Sequence, residues 1–168
     1  MKKILETERL ILREFTLADA AFILQLLNTE AWLKNIGDRN VKTLEQAEIY
    51  LLNGPIKSYA ENGFGLCMIE IKEGGFPAGM CGIIKRANMN KPDIGFAFLP
   101  GYMGMGYATE IAKATLAFAK NVLQIPEVCA IVLPSNGASI SVLEKAGLQF
   151  MEKFSFPGSE ELLLLYGG

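Results

Sequence analysis

The 168-residue sequence predicts one domain, residues 1–168, of mixed α/β (α+β) class, in which a mostly antiparallel sheet carries helices on both faces. Three observations lead there. Short apolar runs punctuated by Gly, Pro and Asn follow one another between residues 65 and 99, as in hairpin-connected strands. The run 93–99 passes through a glycine-rich loop into a long amphipathic pattern and then into the apolar run 128–133, a strand–helix–strand unit that predicts two parallel neighbours. With 51% hydrophobic residues and a mean hydropathy of +0.26, the chain can bury a substantial core.

Residues 9–14 alternate charged and apolar side chains and read as the first strand. Thr16 and Asp19 have the spacing of a short-armed capping box, and Phe22, Ile23, Leu26 and Leu27 form the apolar face of the helix they start. Residues 28–42 read as an irregular linker. Thr43 and Gln46 cap a second helix, expected to break or kink at Gly54-Pro55. Residues 65–71 and 78–86 form a hairpin around Glu73-Gly74-Gly75, and a turn at 88–92 leads to the strand 93–99. Residues 107–122 form the long helix, with Ile111, Thr115, Phe118 and Val122 on one face. A short helix over about 138–146 stops at Gly147, and 150–156 and 161–166 are closing strands.

Composition removes several function classes. Sixteen basic residues against 18 acidic ones leave no electrostatic footprint for nucleic acid or an anionic membrane. The absence of histidine excludes Ser-His and Cys-His mechanisms and, with scattered cysteines, argues against a bound metal. Cys67, Cys81 and Cys129 lie in apolar strand-like runs and read as buried free thiols of a reducing, cytoplasmic setting. Charges at Glu6, Glu8 and Arg9 interrupt any export signal, and the leucine run 162–165 is far too short to span a bilayer.

The glycine loop carries the chemistry. Gly101, Gly104 and Gly106 let the backbone turn and approach a ligand, and the helix that follows offers unpaired amides and a positive dipole end, which together suit a phosphate. No Lys-Ser or Lys-Thr follows the glycines, so the loop is not a P-loop. The dinucleotide pattern fits poorly, because its third glycine is absent. What remains resembles the acyl-coenzyme A loop of the GNAT N-acetyltransferases, [QR]-x-x-G-x-[GA], over residues 103–108, with Met103 replacing the usual first residue. The resemblance is closest to the RimJ/RimL-type branch, which often reads W-G-K-G-Y-A-T-E there. Thr7 to Arg13 matches that branch's T-x-R-L-x-L-R opening, and Asn136 to Ser139 and Glu144 to Leu148 match its N-x-x-S and E-K-x-G-F segments.

The resemblance implies an N-acetyltransferase that moves an acetyl group from acetyl-coenzyme A to a primary amine, on a protein N-terminus or a small molecule such as a polyamine or aminoglycoside. It needs no metal, and the chain would act as monomer or homodimer. An acyl-coenzyme A-binding pseudoenzyme or sensor is the alternative. In the family the two parallel central strands splay and the pantetheine arm fills the gap. Cofactor contacts are then expected from Phe96, Ala97, Phe98 and Leu99, from Met103, Gly104, Met105, Gly106, Tyr107, Ala108 and Thr109, and from Asn136 and Ser139, with amides around Ala97 to Leu99 holding the acyl group. Asn136, Ser139 and Asp93 are the catalytic candidates, Ser139 as proton donor to the leaving thiolate. Seven residues after Asn136, where many GNAT enzymes carry an acidic tyrosine, stands Leu143, which has no proton to give. For a general base, Asp93 and Glu110 stand near the cleft in the sequence and Glu152 and Glu160 lie in the closing strands; Glu110, in the first turn of the long helix, reads as structural. Trp32, Phe64 and Tyr102 are candidates for the acceptor pocket.

Overall fold

In the computed structural model, which describes residues 2–168, the strand expected at 9–14 is the second arm of a hairpin. β1 (Lys3–Glu6) pairs antiparallel with β2 (Leu10–Arg13). β3 (Leu66–Ile71), β4 (Pro77–Ile84) and β5 (Asp93–Phe98) extend this into a five-stranded antiparallel sheet in the order β1-β2-β3-β4-β5. A second sheet, β6-β8-β7, is built from β6 (Ala130–Val132), β7 (Gln149–Phe154) and β8 (Leu163–Gly167). The sheets meet where β5 and β6 run parallel, touching at Asp93 and Cys129. There Ile94 N–H donates to the Cys129 carbonyl at 2.9 Å and Cys129 N–H donates to that of Pro92 at 3.0 Å. Farther along, β6 pairs with β8 and leaves β5, so the parallel strands splay as the family resemblance implies.

Two apolar layers cover the five-stranded sheet. On one face α5 (Tyr107–Asn121) packs Ile111 and Ala112 against Cys67, Cys81, Ile83, Ile94 and Phe98. The face of α5 that is buried is Ile111, Ala112, Thr115 and Ala119. It is turned from the expected one, and Val122 stands 62% exposed, because the small alanines let the helix lie close to the strands. On the other face α1 (Ala20–Leu26), α2 (Glu30–Asn35) and α3 (Leu44–Leu51) bring Phe22, Ile23, Trp32, Ala47 and Leu51 onto Met68 and Met80.

Two local expectations are corrected. The segment 28–42 is not wholly irregular: Thr29 Oγ1 accepts the Trp32 N–H at 3.2 Å and starts α2, whose Trp32 is anchored in the core. At Gly54-Pro55 the α-helix is interrupted, as expected, but it does not end. The chain widens into a π turn over Leu52–Ile56 and continues as α4 (Lys57–Asn62), the wider turn accommodating the missing proline N–H. The short helix α6 (Gly137–Lys145) ends as expected beside Gly147, whose φ is +100°.

Candidate active site

The splay leaves the β6-facing edge of β5 without a strand partner. Because Ile94 N–H points to β6, strand alternation aims the amides of Phe96 and Phe98 the same way, into the gap. Leu99 N–H is instead spent on the Ala78 carbonyl at 2.9 Å, and Ala97 faces β4 like it. Of the run 97–99 expected to hold an acyl group, Phe98 alone therefore turns its amide to the gap, and Phe96 joins it.

The gap opens towards the loop between β5 and α5. Gly104 (φ +76°) and Gly106 (φ +80°) adopt left-handed conformations that side chains resist, and they turn the chain into α5. Among the described residues, no protein acceptor takes the amides of Gly104, Met105, Gly106, Tyr107, Ala108 or Thr109. Consecutive free amides at the positive end of a 15-residue helix form a nest for an anion such as a pyrophosphate. Met103 and Met105 stand exposed on the loop rim.

The amino-terminal hairpin holds this loop. Arg9 Nη1 donates to the Met105 carbonyl at 3.0 Å, and its guanidinium lies 4.4 Å from the centre of the Tyr107 ring, which in turn stacks near Phe98. Glu110 receives Arg9 Nε at 2.7 Å, Arg9 N–H at 2.9 Å and Thr7 Oγ1 at 2.6 Å. Burial pushes the Glu110 carboxyl up, but these donors outweigh it and hold the pKa below the ordinary value. Glu110 is thus a tie between hairpin and helix. In the sequence, Arg9 is marked only by its place in the T-x-R-L segment.

Of the three catalytic candidates, Asn136 and Ser139 lie together and Asp93 lies apart from them. Asn136 and Ser139 lie beyond the open end of β6, where Asn136 Oδ1 accepts the Ser139 N–H at 3.2 Å and caps α6. The Asn136 side-chain amide and the Ser139 hydroxyl donate to no protein group among the described residues. Leu143, two turns on, is 2% exposed and belongs to the core. Asp93 sits at the closed end of the split, 1% exposed, with Arg86 Nε at 2.9 Å and Nη2 at 3.3 Å. Burial pushes its carboxyl above the usual range, and the Arg86 guanidinium only partly offsets this.

On β5, Ala97 and Leu99 pack with the helices α1 and α3, so Asp93 and Gly95 present the same face. A cavity of about 530 Å³ opens on that side, between the π turn and the ends of β3 and β4. Tyr50, Asn53, Ser58, Glu61, Ile84 and Lys85 are among its lining residues, and Ile84 pairs with Asp93. Beside it Gly82 pairs with Gly95, and the chain packs tightly there: a Cβ on Gly82 would meet the backbone of Gly65 and Leu66. The aromatic residues suggested for an acceptor pocket lie elsewhere. Trp32 is in the core, its Nε1 donating to the Gly37 carbonyl at 3.0 Å, and Phe64 and Tyr102 pack against the α5 layer.

All three cysteines are free and buried, and burial pushes the Cys67 and Cys81 thiols up to about 12. Among the described residues no group of acidic, Cys or His side chains is arranged to hold a metal ion, and no helix is long and apolar enough to cross a membrane.

Residues 9–149 match the family profile of the acetyltransferase (GNAT) domain. Over 94 residues the chain is 37% identical to the YkkB protein of Bacillus subtilis (strain 168), a match spanning 54% of this chain and 55% of that one. An acetyltransferase structure from Agrobacterium tumefaciens str. C58 superposes with a TM-score of 0.83 at 25% identity, covering 100% of this chain and 94% of that one. The RimL ribosomal L7/L12 alpha-N-protein acetyltransferase, solved with coenzyme A, shares the fold at a TM-score of 0.82 and 17% identity, with 99% and 97% covered.

Proposed function

Since the chain belongs to the GNAT acetyltransferase family, we propose that it transfers the acetyl group of acetyl-coenzyme A directly to the primary amine of an acceptor. The observation that carries this reading is the row of free amides from Gly104 to Thr109, set beside a β5 edge with no strand partner. One feature fits a pyrophosphate and the other an extended amide-bearing arm. Acetyl-coenzyme A supplies an activated thioester, so no metal or covalent enzyme intermediate is required.

In this reading the nest holds the pyrophosphate, and Arg9 keeps the loop shaped for it. The amides of Phe96 and Phe98 grip the arm and the acyl oxygen as a missing strand would, and stabilise charge that develops on that oxygen. Asn136 caps α6 with its oxygen and offers its amide to the arm. Ser139, whose hydroxyl is unspent, gives a hydrogen bond or proton to the departing sulfur. Asp93 receives the proton that the acceptor ammonium must lose before attack; its raised pKa brings it closer to the working pH than an ordinary carboxylate. Most of the acceleration comes from holding amine and thioester together, where effective molarities reach about 10⁵ M or more.

Thiol release from acetyl-coenzyme A over a panel of primary amines, with calorimetric titration of coenzyme A, tests the proposal. Binding with amine-dependent thiol release supports it. Binding without transfer to any amine would leave a coenzyme-binding module, and no binding would remove the site.

A further inference from the structure

Granting the acetyl-transfer reading above, in which Asp93 takes the acceptor's proton, the side chain that holds Asp93 decides what that carboxylate can do. Asp93 is the first residue of β5 and lies opposite Ile84, so Arg86, two positions on, belongs to the connection that joins β4 to β5. The Arg86 carbonyl accepts the Met89 N–H at 3.3 Å, which starts the turn there, while its side chain reaches back to Asp93. Nε donates to Oδ1 at 2.9 Å and Nη2 to Oδ2 at 3.3 Å, a two-point grip along one edge of the guanidinium. The Arg86 side chain is 33% exposed and that of Asp93 1%, so the cation stands towards solvent and the carboxylate inside.

Among the described residues Arg86 is the one charged side chain hydrogen-bonded to Asp93. On β4, Ile84 is apolar and Lys85 beyond it stands exposed. Cys129, across the bridge to β6, donates its thiol to the Pro92 carbonyl at 3.5 Å, and burial together with the Asp93 charge keeps that thiol protonated. Lys91 and Glu127 pair with each other at 2.6 Å. Burial raises the Tyr50 phenol of α3, near enough to feel Arg86, and keeps it neutral. A carboxylate buried without a partner takes up a proton, and a protonated Asp93 accepts nothing from an ammonium. Arg86 uses one lone pair on each oxygen and leaves the others for the acceptor.

We propose that Arg86 is a positioning residue for the reaction: its guanidinium balances the Asp93 charge and fixes the plane of the carboxylate, so that an oxygen is presented to the acceptor nitrogen. In the step it serves, an N–H bond of the acceptor ammonium breaks and the proton moves to an Asp93 oxygen. The nitrogen keeps the electron pair with which it attacks the thioester, and the guanidinium stays protonated throughout. A lysine could supply the charge but not the fork, so charge and orientation are separable by substitution.

The experiment compares Arg86→Gln and Arg86→Lys with the wild type in kcat and kcat/KM against pH, using the primary amine of the panel that the wild type acetylates fastest. The ionisation of the amine is common to all three proteins, so a difference between their acid limbs belongs to the enzyme. In Arg86→Gln the limb should move up by about one pH unit or more, with a loss of about tenfold or more below it that recovers as pH rises. Arg86→Lys should keep the limb near its wild-type place and still lose about fivefold or more in kcat, since one ammonium cannot fork to both oxygens. The chain has three aspartates, Asp19, Asp38 and Asp93, so carbon-13 labelling of aspartate lets NMR follow the Asp93 carboxyl directly, with Asp93→Asn to assign it. Its titration should move with the kinetic limb in Arg86→Gln, while calorimetric affinity for coenzyme A stays unchanged. An acid limb that stays in place in folded Arg86→Gln overturns the proposal and leaves Arg86 a clasp for the β4–β5 connection. If that variant does not fold, Arg86→Lys decides, and wild-type kcat there overturns the proposal. A carboxyl titration that moves while the wild type releases no thiol with any amine retains the coupling of Arg86 to Asp93 and overturns the acetyl-transfer reading instead.

Discussion

At the scale of single residues, Ser139 and Asp93 show how the same side-chain chemistry takes its meaning from position. Ser139 lies in the first turn of α6 with its N–H spent on Asn136 and its hydroxyl free, so removing the hydroxyl leaves the cap intact. Ser139→Ala should lower kcat by about tenfold to a thousandfold with little change in coenzyme A affinity. Full activity in that variant would reduce Ser139 to a helix-start residue. Asn136→Ala should weaken both, because its oxygen caps the helix and, in the proposed reading, its amide is offered to the arm. Asp93 is the opposite case, buried beside one guanidinium and raised in pKa. As a base it works only when deprotonated, so kcat/KM should fall on the acid side through a pKa above the ordinary carboxylate range. Asp93→Asn should remove that limb together with most of the activity; a limb that survives the substitution would assign the base elsewhere.

At the scale of elements, the loop and the helix it opens act as one unit tied to the amino-terminal hairpin. Gly106 caps α5 at φ +80°, and a side chain there would point towards Arg9. Gly106→Val should strongly weaken coenzyme A binding, through strain and through loss of the space in front of the amides, and calorimetry on the folded variant checks this. Arg9→Ala should weaken binding less, because the amides persist while the Met105 carbonyl loses its tether.

At the scale of the whole molecule, the buried pair Arg13 and Asp19, with half-buried Glu70 beside Arg13, joins β2 and β3 to the turn that starts α1. Burial raises the Asp19 carboxyl, but hydrogen bonds from Arg13 and Thr16 win and lower it. A folded-state pKa below the unfolded one stabilises the fold above the ordinary carboxylate range, and that contribution disappears as pH falls from about 4 through the lowered value. Urea melts should show this loss in the wild type, and a smaller one in Asp19→Asn. Arg13→Ala, which strands two carboxylates, should cost about 3 kcal/mol or more at neutral pH. Much of this architecture was legible in the sequence because it rests on local signals. Alternation marked most of the strands, the capping pairs at Thr16 and Thr43 marked helix starts, and glycines marked the loop whose positive φ angles only glycine tolerates easily. Local signals misled where packing overrode them: the core takes Trp32 and so orders α2, and a π turn carries the helix across Pro55. The sequence by itself thus determined most of the elements, their order and the glycine-rich loop, all of which follow from residues close in the chain. Only the tertiary structure decided which amides of β5 face the gap, that Arg9 holds Met105 from 96 positions away, and that Tyr50, Glu61 and Lys85 line one cavity. Those contacts join distant segments through strand register and side-chain packing, and hydrophobic periodicity carries no record of either.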